Sequence, residues 1–168
     1  SAINLMNESD NLTAELFVKL MGAMDTIPGT WNNGIDSIKS FLSREVEIDT
    51  SQIKLADGSG VSRYTLTSSD QLISLLTWVY KSQYKNDFIS TLPGGGWPKS
   101  TLEKRLVKEG DKVRAKTGGL SGVRNLAGYI ESSRYGPVAF SILMNGYIGS
   151  SRKYRHVQNQ IVKLLIYD

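Results

Sequence analysis

From Leu12 onward the apolar residues Leu12, Leu16, Phe17, Leu20, Met21 and Met24 recur three and four apart, the spacing of one helix face. Ser9, Asp10 and Asn11 stand just before them, where side chains that cap a helix belong. The stretch IPGT at 27–30 breaks the pattern. Ile35, Ile38, Phe41 and Leu42 predict a second helix, with Thr30 as its candidate cap. DGSG at 57–60 reads as a turn. Leu72, Ile73, Leu75, Leu76, Val79 and Tyr80 predict a third helix, behind the cap candidates Thr67 and Ser68. LPGGGWP at 92–98 reads as a loop, because glycine and proline punctuate regular structure.

Beyond Gly110 the pattern changes. KVRAKTG, VRNLAGYIES and PVAFSILMN are short runs rich in β-branched or apolar residues, separated by glycine-bearing turns. They predict three successive antiparallel strands. In the tail, Tyr154, Val157, Ile161, Leu164 and Leu165 predict an amphipathic helix that covers one face of the sheet. The order is helices, a β-meander, then a helix. There is no internal repeat or linker, and 168 residues suit one domain with a real core.

Composition narrows the chemistry. The chain has no cysteine, which removes disulfides, thiolate nucleophiles and cysteine metal ligands. A single histidine, His156, argues against a Ser-His-Asp site or a multi-histidine metal site. It sits on a basic helix and reads as a surface or packing residue. The net charge of +4 is mild and fits a solvated surface, with no call for a nucleic-acid partner. No apolar run is long enough to span a bilayer. The opening SAINLMNESD is polar and carries no secretory signal, although a mature exported chain would read the same way.

Two short motifs then stand out. Ser9-Asp10-Asn11 lies at the start of the first helix, and Lys116-Thr117-Gly118 lies on the first strand. Taken singly, the first could be a helix cap and the second a strand end. Together, S-D-N and K-T-G are two of the three motifs of β-lactamases and penicillin-binding proteins, S-x-x-K being the third. The chain resembles the penicillin-binding-protein superfamily. More narrowly, it resembles the D-alanyl-D-alanine carboxypeptidase/endopeptidase family of low-molecular-mass, class C architecture. The stretches SDNLTAELFVKLMG, LADGSGVSRYTLTSSDQLISLL, VRAKTGGLSGVRNLAGYI and AFSILMNG carry that likeness in family order.

The resemblance implies an α/β fold of the β-lactamase/transpeptidase-like kind. Residues 9–105 form its mainly helical part, and 110–168 its three-stranded meander and C-terminal helix. It also implies a site. Acyl transfer from a peptide with a free terminal carboxylate needs a nucleophile, a proton carrier, an oxyanion donor and a cation for the carboxylate. By family analogy Ser9 shuttles the proton, and Asn11 holds the substrate amide and the catalytic lysine. Lys116 supplies positive charge, and Thr117 a hydroxyl to the carboxylate. Gly118 lets a substrate backbone lie against the strand edge. Gly119 offers its backbone N–H to the oxyanion. In the family a hydroxyl residue usually stands at position 119, so Gly119 keeps the backbone donor and drops a side-chain contact. The implied ligand is a peptidoglycan peptide or a β-lactam, with no metal or cofactor, in an exported, periplasmic or cell-envelope setting.

Other candidates carry less. Gly94-Gly95-Gly96 lacks the Gly-Lys-Ser/Thr that completes a phosphate loop. Asp57-Gly58-Ser59-Gly60 lacks the strand–turn–helix context of a nucleophilic serine. Ser51–Lys54, Ser82–Lys85 and Ser150–Lys153 match S-x-x-K but follow Ser9, in the wrong order. The expectation is therefore that this chain is the C-terminal part of a longer enzyme. The missing N-terminal part would carry the nucleophile, the fragment alone would be inactive, and strand 137–145 would be an unpaired edge. The alternative is a non-catalytic cell-wall- or β-lactam-binding module with the same fold. The balance of carboxypeptidase and endopeptidase action stays open, as does the oligomeric state.

Overall fold

The computed structural model describes residues 1–23 and 28–168, so Met24 and Ile27 of the sequence reading lie outside the described residues. Six α-helices and three strands are described. They are α1 (Ala2–Glu8), α2 (Asn11–Gly22), α3 (Trp31–Arg44), α4 (Ser69–Lys81), α5 (Lys85–Thr91), β1 (Val113–Leu120), β2 (Val123–Ser132), β3 (Gly136–Asn145) and α6 (Arg152–Tyr167).

The capping residues do what their chemistry allows. Thr30 accepts from the Asn33 N–H at the start of α3. Ser68 and Gln71 form a reciprocal capping box on α4, so Ser68 rather than Thr67 is the cap. At α2 the cap is Asp10 alone, which accepts from the N–H groups of Leu12 and Thr13. Helix α2 runs against α3 at very short range. A Cβ on Gly34 would lie 2.0 Å from the Val18 carbonyl oxygen, so only glycine permits the crossing.

The strands pair antiparallel in the order β1-β2-β3, with Lys116 opposite Ala127 and Gly119 opposite Arg124. Each strand lies within two residues of its expected bounds. The sheet buries both faces. On one side Val113, Ala115, Leu126, Ile130 and Phe140 pack with Leu102 and Leu106 under Val162 and Ile166 of α6. On the other, Tyr129 packs with Leu76 and Leu92, and its hydroxyl donates to the Leu76 carbonyl at 2.7 Å. A separate cluster of Leu42, Val46, Ile48 and Ile53 closes the helical part.

The tail helix covers the sheet as expected, but not with the expected stripe. Its buried positions are Gln158, Val162 and Ile166. Val157, Leu164 and Leu165 are exposed, while Tyr154 and Ile161 are half-buried. The physical reason is a polar anchor. Gln158 donates to the Arg124 carbonyl oxygen at 3.0 Å and accepts from the Arg105 guanidinium at 3.0 Å, and these bonds fix the rotation of α6. A similar apolar ridge, Leu12, Leu16 and Leu20, faces outward on α2, which buries Ala14, Val18 and Gly22 instead. Lys112, expected on the first strand, belongs to a short 3₁₀ turn (Gly110–Lys112) before it.

Candidate active site

Helix α1 ends at Ser9, whose φ of 61° and ψ of 51° put it in the left-handed region. That turn reverses the chain into α2, and Asp10 holds it by capping the next helix. The middle residue of Ser9-Asp10-Asn11 is thus structural. The Thr13 hydroxyl also donates to Asp10 at 2.5 Å, and with the backbone bonds it keeps the Asp10 carboxyl below its usual pKa. The reversal leaves the Ser9 hydroxyl facing β1.

On β1, alternation decides which groups face what. Val113 and Ala115 point into the core, so Lys116 and Gly118 point to the opposite face, toward the helical part. The Lys116 ammonium donates to the Ser9 hydroxyl oxygen at 2.6 Å and to the Thr117 carbonyl oxygen at 2.8 Å. An ammonium has three donors, so one remains for a ligand. Burial lowers the Lys116 pKa to about 8, because desolvation disfavours the charged form.

The outer edge of β1 is covered for half its length. Ala115 donates its N–H outward to the Pro93 carbonyl at 3.1 Å, and Gly94 bridges to Arg114. The three glycines at 94–96 therefore serve the strand edge and one another's turns. Gly95 and Gly96 donate to the carbonyls of Gly110 and Leu102, which leaves no phosphate cradle. Since the Ala115 N–H faces outward, the N–H groups of Thr117 and Gly119 face outward too, by the alternation of an antiparallel ladder.

Facing that edge is a cavity of about 940 Å³. Ser9, Asn11, Lys116, Thr117, Gly118 and Gly119 all line it, together with the loop 59–67 and Asn125, Asn145 and Tyr147. The chain brings all six candidate residues to one place although 107 residues separate Ser9 from Lys116. Among the described residues its only charged lining side chains are Lys116 and Arg63, and no carboxylate lines it.

Two carboxylates behind the wall build the opposing loop. Glu15 of α2 accepts from the N–H groups of Gly58 at 3.1 Å and Ser59 at 3.0 Å, and from the Trp31 indole at 2.8 Å. Asp57 accepts from the hydroxyls of Ser59 and Thr65 and from the Ser62 N–H. Desolvation raises the pKa of both carboxyls, but these hydrogen bonds outweigh it and leave both lowered. So DGSG is a turn, as expected, and one that shapes the cavity. Arg63 at its far end donates across to the Ser121 carbonyl at 2.9 Å, tying the loop to the β1–β2 turn. Sequence reasoning missed Glu15 and Arg63, because nothing local signals a partner 43 or 58 positions away.

The three later S-x-x-K matches do not line the cavity. The Ser51 N–H bonds Asp49, the Ser82 hydroxyl bonds the Val79 carbonyl, and the Ser150 hydroxyl receives the Arg152 N–H. His156 is exposed on α6 beside Gln160. The described residues hold no cluster of three potential metal ligands.

A left-handed serine thus stands beside a half-buried strand lysine, on a sheet backed by a C-terminal helix. A profile of the D-Ala-D-Ala carboxypeptidase 3 (S13) family matches residues 3–166, and the chain belongs to that family. It is 35% identical over 154 residues to a D-alanyl-D-alanine carboxypeptidase of an Actinomadura species, covering 88% of this chain and 28% of that protein. It is 35% identical over 151 residues to the D-alanyl-D-alanine carboxypeptidase DacB of Haemophilus influenzae, covering 85% and 30% respectively. The crystal structure of penicillin binding protein 4 (dacB) from Haemophilus influenzae superposes with a TM-score of 0.87 at 30% identity. It covers 99% of this chain and 39% of that one. The same protein complexed with a β-lactam gives a TM-score of 0.85 at 31% identity, covering 99% and 41%. The chain thus spans about a third or less of the curated relatives it matches.

Proposed function

We propose that residues 1–168 form the C-terminal part of one transpeptidase-like domain. Its function is serine-type D-alanyl-D-alanine carboxypeptidase or endopeptidase chemistry on exported peptidoglycan peptides. The observation that carries this reading is the Lys116–Ser9 contact of 2.6 Å inside a cavity that Asn11 and Thr117–Gly119 also line.

In the reaction, a serine hydroxyl of an S-x-x-K segment outside these residues attacks the carbonyl of the penultimate D-alanine. The Gly119 N–H accommodates the charge on the carbonyl oxygen. Lys116 and the Thr117 hydroxyl hold the terminal carboxylate, and Asn11 holds the substrate amide. The proton leaving the nucleophile reaches the departing amine through Ser9, the C–N bond breaks, and D-alanine leaves. Water then attacks the acyl-serine, which restores the serine and releases the shortened peptide. The short share of each relative that the chain covers supports placing the nucleophile elsewhere.

One observation favours the binding-module reading for the chain on its own, namely that none of its S-x-x-K serines lines the cavity. Labelling with a fluorescent penicillin separates the two. The complete gene product acquires a covalent, serine-dependent label, and the 168 residues alone do not. A complete product without S-x-x-K, or without label, leaves only the binder.

A further inference from the structure

Gly118 stands opposite Asn125 of β2, and Lys116 opposite Ala127, so the Asn125 side chain lies on the Lys116 face of the sheet. That face is covered at Ala127 and Tyr129, which pack with Leu76 of α4. At Asn125 the cover ends. Asn125 and its β3 partner Leu143 are half-buried and line the cavity that Lys116 enters.

The orientation of this amide is fixed. The Met144 N–H donates to the Asn125 Oδ1 at 3.2 Å, and an N–H can face only the oxygen of a carboxamide. The NH2 group is thereby turned toward β1, and among the described residues it makes no hydrogen bond. A Cβ on Gly118 would lie 3.3 Å from the Asn125 Cβ and 3.7 Å from its Nδ2, so the missing side chain leaves the amide open. Two donors therefore face the cavity with no acceptor of their own. On the proposed reading a ligand backbone runs along the outer edge of β1, where the N–H groups of Thr117 and Gly119 point. β2 lies one strand further in, about 4.8 Å away, so that ligand does not stack over Asn125. The cavity of about 940 Å³ is near the top of the range of small-ligand pockets, roughly 300–1,000 Å³, and has room for protein chain beside a ligand.

From this juxtaposition we infer that Asn125 is a positioning residue, whose NH2 donates to a carbonyl oxygen of the segment that bears the S-x-x-K serine. The inference rests on the proposed acyl-transfer reading, and deepens it by naming what holds the nucleophile against β1. Leu143 gives that segment an apolar floor, and Asn125 gives it one directed bond that sets its height over Gly118. Asn125 touches neither the substrate nor the reacting atoms. Its effect comes through the serine, since a misplacement of about 1 Å can cost on the order of 10²-fold in rate.

The test separates binding from bond formation, by stopped-flow acylation of the complete gene product with benzylpenicillin at pH 7. Asn125→Leu removes the donors and the Met144 bond together. Asn125→Asp keeps an acceptor for Met144 and, ionised at that pH, removes only the donors. The acylation rate constant falls at least ~10-fold in both variants, while the noncovalent dissociation constant of Asn125→Leu stays at the wild-type value. An unchanged rate constant in Asn125→Asp overturns the inference. So does a loss confined to the dissociation constant, which would make Asn125 a ligand contact. If wild type is not acylated at all, the acyl-transfer reading has failed separately. The Asn125 contact is then read by NMR on the complete gene product, with its side-chain NH2 assigned from the Asn125→Asp spectrum. Slow exchange of that NH2 with water supports the contact, and exchange at the rate of a free amide overturns it. The same measurement decides if either variant melts far below wild type.

Discussion

Lys116 reaches the Ser9 hydroxyl over 2.6 Å from a strand 107 residues further along the chain, and it does so as a half-buried cation with no carboxylate among the described residues that line the cavity. Such a charge costs stability. Its pKa of about 8 in the fold lies below the ordinary 10.5. The unfolded chain therefore binds more protons between those values, and stability rises with pH across that window. Below pH 8 the cost is roughly 3 kcal/mol, since one pKa unit is worth about 1.36 kcal/mol.

Lys116→Met removes that cost along with two hydrogen bonds. The stability of the variant relative to wild type is greatest near pH 7 and shrinks as pH rises from 8 to 10.5. Urea midpoints of both proteins at pH 7 and pH 10 check this. A difference that stays flat or grows with pH means that Lys116 is not desolvated.

Ser9 holds a left-handed backbone that glycine adopts freely and other L-residues adopt at a cost. Ser9→Gly and Ser9→Ala both lose the hydroxyl, yet only alanine keeps the strain. The glycine variant is therefore more stable than the alanine variant by about 1 kcal/mol. Both lose the Lys116 contact and acylate slowly in the complete product. Thermal denaturation of the pair decides the first point, and equal melting temperatures would contradict the left-handed turn.

Glu15 organises the loop across the cavity. Glu15→Gln replaces a charged acceptor of three hydrogen bonds with a weaker one, and costs about 1–3 kcal/mol. Its carboxyl is held below the ordinary 4.5. The stability it contributes is present above that value and is lost as pH falls through the lower folded pKa. Wild type and variant therefore converge in acid, below about pH 4.5, by denaturant titration. A gap that does not narrow at all as pH falls below 4.5 would show that Glu15 acts through packing alone.

The regular elements with long patterns were legible in the sequence, and the short or long-range features were not. Thr30 and Ser68 announced their helices, and β-branched runs between glycines announced all three strands. Helices α1 and α5 have seven residues each, too few for an apolar period to show. The face of α6 was misread because its solvent side also carries Val157, Leu164 and Leu165, while a glutamine occupies the core stripe. Only the Arg105 and Arg124 contacts explain that choice. The gathering of Ser9, Asn11 and Lys116–Gly119 was legible through motif order. The partnership of Gly119 with Arg124 was not, because cross-strand register decides it.

On the proposed reading, Lys116 works on the substrate rather than merely ending a strand. Its ammonium touches Ser9 and has one donor to spare, and a charge-assisted contact of that kind is worth about 1.5–3 kcal/mol. The deciding measurement is the second-order rate of acylation of the complete gene product by a fluorescent penicillin. Lys116→Ala is compared with wild type, and with Lys112→Ala as control. Lys112 lies in the turn before β1 with its ammonium over the Tyr167 ring, away from the cavity. The rate falls at least ~10-fold for Lys116→Ala, since each 1.36 kcal/mol is about tenfold in rate, and stays near wild type for Lys112→Ala. Equal rates for Lys116→Ala and wild type would contradict it.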